Sequence, residues 1–264
     1  NSFIKLNDED IDEILLEKHN SGFIFEKFRN LYYSDEDTSF IENTLNNIIT
    51  IKDQYKKSIA YSSLIRACIK KRPRGIFAYT GLRYNDNRPD LRKSLKEHFI
   101  ENISIFNSAV FDNGKQNVSQ NLDCMQIKEP ADLIYIDPPY FSPLSDNDYT
   151  RRYHFVEGIA RNWEGVEIQE KTKTKKFKSY KSPFSSLSGT IEALENIFNV
   201  YKSSNIILSY SSNSLPGKDE IYSLMKKYKN NIDIVSVDYR YSFANQASVS
   251  KVKNNVKEYI FIGK

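Results

Sequence analysis

The chain has 264 residues, 39% hydrophobic and 27% charged, a soluble globular composition with room for one sizeable α/β domain plus an insertion, or for two small domains. No apolar run approaches the roughly 18 residues of a membrane span and no signal-peptide pattern is present, so a cytoplasmic location is expected. Cys68 and Cys124 are far apart and lack metal-ligand spacing, which argues for reduced thiols and against a disulfide or zinc site.

In chain order, residues 1–102 are expected to be mainly helical. Asp8 is expected to cap a run with apolar Ile11, Ile14 and Leu15; Ser34-Asp-Glu-Asp precedes Phe40, Ile41, Leu45, Ile48 and Ile49; Tyr55 to Ile69 continues the pattern. Residues 103–264 alternate strand and helix. Strands are expected at Ile103–Asn107, Val118–Leu122, Leu133–Ile136, Asn205–Tyr210, Ile232–Tyr239 and Lys257–Ile262, with helices at Tyr153–Arg161, Gly189–Tyr201 and Lys218–Tyr228. Intervening helices imply a mostly parallel sheet.

The net charge of +4 is modest but uneven. Basic residues gather at Arg66 to Arg74, at Arg83 to Lys96 and in the run from Lys171 to Lys178, interleaved with Tyr and Phe. Cations facing phosphates and rings facing bases suit a nucleic-acid surface, although an AT-rich genome also enriches lysine and a charge run is often a solvated loop. Arg83, Asn85, Asn87 and Arg88 have the chemistry to read base edges or to hold phosphates.

The most informative segment is Leu133 to Phe141, where an apolar strand runs into Asp137, Pro138, Pro139 and Tyr140. Open α/β sheets bind ligands at the carboxyl edge of their strands. Proline lacks an N–H and fixes φ, so the Pro138 carbonyl is expected to project rigidly. Two acceptors beside a flat ring suit an exocyclic amino group on a planar base: Asp137 and the Pro138 carbonyl accept its hydrogens and Tyr140 stacks. A plain turn is the alternative for Asp-Pro-Pro-Tyr; the preceding apolar strand favours the site.

These residues resemble the D-P-P-Y signature of amino-methyltransferases acting on adenine in DNA. From about Gly22 onward the chain is similar to the FokI-type and Dam-like group of adenine-specific (N6) DNA methyltransferases. The resemblance rests on separated pieces in the family's order: Leu31-Tyr-Tyr-Ser-Asp-Glu-Asp, Ser63-Leu-Ile-Arg-Ala, Asn121-Leu-Asp123, the D-P-P-Y block, Tyr153-His154 with Glu157 and Ile159-Ala-Arg, Lys181-Ser-Pro-Phe184, Ile207-Leu-Ser-Tyr210, Tyr239-Arg-Tyr241, and Val256-Lys-Glu-Tyr-Ile-Phe. The resemblance implies an α/β fold, a Rossmann-like methyltransferase sheet over residues 103–264, with a helical target-recognition region within residues 1–102. It also implies S-adenosyl-L-methionine as cofactor, double-stranded DNA as partner and a flipped-out adenine as substrate.

One family feature is absent. The glycine-rich F-x-G-x-G loop that cradles the cofactor lies upstream of the helical region in the family, and none of the glycines at 22, 75, 81, 114, 158, 165, 189, 217 and 263 forms a G-x-G. The sheet is therefore expected to be incomplete or completed by a partner, with the loop on a missing amino-terminal piece or a second polypeptide.

By resemblance, Asp137 orients the adenine N6 and borders the cofactor, Asp123 hydrogen-bonds the cofactor's adenine, and Tyr153, Tyr239 and Tyr241 join Tyr140 around the target base. His154 is expected to be a structural hydrogen-bonder. Arg83, Arg88, Lys173, Lys175, Lys176, Lys178 and Lys181 are the candidate DNA contacts, and no metal ligand is expected. Two other functions stay open: a non-catalytic DNA-binding subunit of a heteromeric enzyme, and a methyltransferase acting on RNA adenine or on a protein amide. The intact Asp137 argues against the first, and the long helical region suits duplex recognition better than the second.

Overall fold

Side-chain caps set most helix starts in the computed structural model of the chain, which describes residues 4–18, 22–81, 88–143, 148–240 and 255–264. The fold is mixed α/β and divides into two compact units, Asn1–Asn117 with Asp148–Ser179, and Val118–Asn147 with Tyr180–Lys264. Among the described residues no helix is long and apolar enough to cross a membrane.

The first unit is helical. Asn7 caps α1 (Asp8–Leu15) in a reciprocal box with Asp10, so Asp8, the expected cap, is instead the first helical residue. After α2 (Phe23–Phe28), Ser34 caps α3 (Asp35–Thr50) and Asp53 caps α4 (Gln54–Lys71). Each cap satisfies N–H groups that have no partner within their own helix. Next come α5 (Pro89–Arg92), α6 (Leu95–Ala109) with its Ser94/Glu97 box, and α7 (Tyr149–Ala160) capped by Asp148.

The strand expected at Ile103–Asn107 is the last part of α6. Leu95, Phe99 and Ile103 recur every four residues and are all buried, while Ile105 is exposed. Helical spacing prevails because that stripe packs on α4. Phe28, Tyr32, Phe77, Phe155 and Trp163 form an aromatic cluster in the same core, Phe155 meeting Phe28 edge-on at 5.3 Å.

Arg72, within the basic stretch expected to face nucleic acid, is turned inward and fully buried. Its guanidinium donates to the carbonyls of Tyr32, Ile76, Tyr79 and Gly81 and lies over the rings of Tyr79 and Tyr32. A five-donor fork can satisfy several scattered carbonyls at once, which makes it a clamp for the turn after α4.

The second unit holds a four-stranded sheet ordered β1-β2-β4-β3: β1 (Leu133–Ile136), β2 (Asn205–Ser211), β3 (Ile232–Arg240) and β4 (Asn255–Gly263). The pairing β1–β2 is parallel, whereas β2–β4 and β4–β3 are antiparallel, so the mostly parallel sheet expected from the helix spacing is a mixed one. The difference arises because β4 returns between β2 and β3. Buried Ile206, Leu208 and Tyr210 alternate along β2 and join Phe261 in a core with Leu194 and Phe198 of α8 (Leu187–Val200) and Ile221 and Met225 of α9 (Lys218–Lys226). No strand forms at the expected Val118–Leu122, where Val118 is 73% exposed and no other strand pairs with the segment.

Candidate active site

The parallel pair β1–β2 creates the edge that carries the Asp-Pro-Pro-Tyr block. Ile136 pairs with Leu208, the last pair of the β1–β2 ladder, so Asp137 and Ser209 are the next residues along the two chains. Pro138 and Pro139 cannot donate to a ladder, and β1 stops there. The far end of the turn is pinned: Phe141 bridges Leu215, whose N–H donates to the Phe141 carbonyl at 2.8 Å.

Asp137 is exposed and Tyr140 half-buried. The Tyr140 hydroxyl lies 3.2 Å from Asp137 Oδ1 and 3.1 Å from Ser209 Oγ. Its ring meets the buried ring of Tyr210 at 5.0 Å and 56°, and the Tyr210 hydroxyl is itself held by the Leu215 carbonyl. Burial pushes the Tyr140 phenol well above its ordinary pKa, the Asp137 and Glu258 charges adding to the rise against the pull of the Ser209 hydrogen bond. Tyr140 thus keeps its proton, and an exposed carboxylate stands beside a braced ring at a strand's carboxyl end. Such a pair accepts a hydrogen from an amino group and offers a face to a planar ring.

The remaining expected residues divide between the units. In the second unit, Asp123 caps a short 3-10 turn, Cys124–Gln126, its Oδ1 accepting from the Met125 N–H; it follows no strand. Tyr239 is 51% exposed on β3, with β2 and β4 between it and β1. Lys181 is exposed. In the first unit, Tyr153 stacks on Tyr149 at 6.0 Å and Arg88 donates to the Arg72 carbonyl. Tyr241 and Arg83, with Asn85 and Asn87, lie outside the described residues.

The basic run is heterogeneous. Lys176 Nζ is 2.6 Å from Asp148 Oδ2 and 2.8 Å from Ser179 Oγ, while Lys175 approaches Glu170 at 3.8 Å. Burial tends to raise the Asp148 pKa, but the Lys176 and Ser179 hydrogen bonds and the Arg151 N–H outweigh it and bring the carboxyl below its usual value. Lys173 and Lys178 are exposed. Buried His154 ties the same loop to the core: its Nε2 lies 2.9 Å from the Thr174 carbonyl.

Ser209, Tyr210 and Arg72 received no role from sequence reasoning. Ser209 and Tyr210 lie within the Ile207-Leu-Ser-Tyr210 segment shared with the family, and what singles them out is their contact with Tyr140. Arg72 carried no signal that distinguished it from its surface neighbours.

The second unit's three glycines test its fit to S-adenosyl-L-methionine. A Cβ at Gly189 would meet the Pro183 carbonyl and one at Gly263 would meet Lys229 and Met225, so both serve the unit's own packing. Gly217 has φ −73° and open space around it. None of the three belongs to a G-x-G turn, so the glycine-rich loop expected to hold the cofactor is not formed by this unit's own glycines.

Comparison with known proteins places these features in a family. The description of the D12 class N6 adenine-specific DNA methyltransferase matches residues 8–224. The type II methyltransferase M2.HphI of Haemophilus parahaemolyticus is 23% identical over 258 residues, covering 92% of this chain and 73% of the relative. The modification methylase StsI of Streptococcus sanguinis is 28% identical over 156 residues, and the type II methyltransferase M.FokI of Planomicrobium okeanokoites 30% identical over 114. These alignments cover 58% and 42% of this chain but 23% and 17% of the two relatives, which are much longer proteins. No solved structure matches. With its Asp-Pro-Pro-Tyr edge and a family match over most of its length, the chain belongs to the D12 class of N6 adenine-specific DNA methyltransferases.

Proposed function

We propose that this chain is the catalytic and target-recognition portion of a restriction-modification enzyme that methylates N6 of a flipped-out adenine in double-stranded DNA, with S-adenosyl-L-methionine as methyl donor. The observation that carries the reading is the hydrogen-bonded pair of exposed Asp137 and half-buried Tyr140 at the carboxyl end of β1. Adenine's amino lone pair is delocalised into the ring. Acceptors at Asp137 and the Pro138 carbonyl draw its hydrogens out of that plane and stabilise the more tetrahedral nitrogen that must form. Tyr140 stacks on the extruded base, an interaction worth about 1–3 kcal/mol, and Tyr153, Tyr239 and Tyr241 are further candidates for the pocket wall.

Residues 1–102 act as the target-recognition region, and residues 103–264 as the Rossmann-like catalytic part. Exposed Lys173, Lys178 and Lys181 contact phosphates, with Arg83 and Arg88 on the recognition side; Lys175 and Lys176 shape the loop that presents them. Asp123 serves the cofactor's adenine. A further polypeptide segment supplies the glycine turn. In support, β1 pairs with β2 alone among the described residues, and Leu133 and Tyr135 are 56% and 61% exposed, unusual for a parallel strand.

The test is N6-methyladenine formation on unmethylated bacteriophage DNA, measured by mass spectrometry. Asp137→Ala is expected to lower the rate at least about a hundredfold while DNA affinity stays within a few-fold, the pattern of a group acting mainly in the transition state. Wild-type turnover in that variant would sink the assignment.

A further inference from the structure

The hydroxyls at the Asp137 edge form a chain whose direction is set by chemistry. A carboxylate only accepts, so the Tyr140 hydroxyl, 3.2 Å from Asp137 Oδ1, donates to it. That leaves the Tyr140 oxygen as acceptor for the Ser209 hydroxyl at 3.1 Å. The reverse direction would set a phenol lone pair against the carboxylate.

We propose that Ser209 is a positioning residue for methyl transfer, its hydroxyl donating to Tyr140 so that Tyr140 in turn fixes the Asp137 carboxylate and leaves Oδ2 for the adenine amino group. The inference rests on the roles given above to Asp137 and Tyr140. Three features support it. Ser209 belongs to β2, a strand paired on both sides, and is therefore a rigid anchor, whereas Asp137 and Tyr140 lie in a turn beyond the end of β1. The ladder that ends at Ile136–Leu208 makes Asp137 and Ser209 the next residues along the two chains. The neighbouring Tyr210 ring, buried and tied to the Leu215 carbonyl, backs Tyr140. One hydroxyl therefore orients both the stacking ring and the accepting carboxylate, two elements that must hold their geometry within about half an ångström to act together.

Because Ser209 acts through the phenol oxygen, its effect must vanish when that oxygen is gone. In the methylating form of the protein, Ser209→Ala is expected to slow single-turnover methylation of unmethylated phage DNA about tenfold, with DNA affinity within about twofold. Ser209→Thr, which keeps a hydroxyl, retains most of the rate. Adding Ser209→Ala to Tyr140→Phe costs nothing further, the non-additivity of two groups in one chain. A merely structural serine gives the opposite outcome: a melting temperature lowered by several degrees and the same loss in both backgrounds. That result, or a wild-type rate in Ser209→Ala, overturns the inference alone. A wild-type protein that transfers no methyl group to DNA adenine even with the glycine-bearing segment supplied overturns the functional reading and this inference with it.

Discussion

His154 Nε2 stands 2.8 Å from the hydroxyl of Tyr32, and both reach the carbonyl of Thr174. One buried imidazole thus links α7, the segment before α3 and the basic loop of the first unit. Burial lowers the His154 pKa, although carbonyls of Thr174, Arg151 and Thr150 pull the other way.

The sign of the resulting pH dependence follows. A histidine whose folded pKa lies below its unfolded value contributes stability above the unfolded pKa, near 6.5, and loses it as pH falls, because the unfolded chain takes up the proton more readily. His154→Gln keeps a donor for Thr174 without the titration. Between about pH 7.5 and about pH 5 the wild type is expected to lose more melting temperature than His154→Gln. Equal losses in scanning calorimetry would show that His154 is not the responsible group.

The lysines of the basic loop should separate by function. Lys173, Lys178 and Lys181 to Ala should weaken binding to all duplexes alike and reduce the log–log salt slope by up to about 3, since each phosphate contact contributes about 0.9. Lys176→Ala should instead lower the melting temperature by about 2 °C, because it removes the cationic partner of Asp148, the cap of α7. Filter binding across a salt series, beside thermal melts, distinguishes the two classes. An unchanged slope in the triple variant returns the loop to solvent.

Gly158 lies in α7, where alanine would ordinarily favour the helix by about 1 kcal/mol. A Cβ there would stand 2.5 Å from the ring of Trp163. That ring is packed against Phe28 at 4.6 Å and Phe155 at 5.8 Å, so it has little room to retreat. Overpacking should prevail and Gly158→Ala should destabilise by about 1–2 kcal/mol. Denaturant titration is the measurement, and a stabilised variant would show that Trp163 can move aside.

With no G-x-G turn among its nine glycines, this 264-residue chain alone is expected to bind S-adenosyl-L-methionine poorly. Adding a polypeptide segment with an F-x-G-x-G loop should restore both binding and adenine methylation. Calorimetry on the chain by itself decides the matter: micromolar affinity without any added segment would reveal a cofactor pocket built another way.

Local chemistry was enough to identify much of this molecule from its residues. The Leu133–Ile136 strand and the Asp-Pro-Pro-Tyr turn were legible because proline ends a ladder whatever surrounds it. The start of α3 and the last three strands followed from capping and from hydrophobic period. The family, too, was legible in the order of its short segments. Tertiary structure decided what depends on neighbours distant in sequence. Whether Ile103 lay in a strand or a helix turned on α4 as a packing partner. Whether the sheet was parallel turned on β4 inserting between β2 and β3. Arg72 went inward because the Tyr32 carbonyl, 40 residues away, meets three carbonyls of the turn after α4 around one guanidinium. Ser209 met Tyr140 across 69 residues of chain. A sequence window records which contacts a residue is able to make; only the folded chain, by bringing distant segments within a few ångströms, determines which of them it does make.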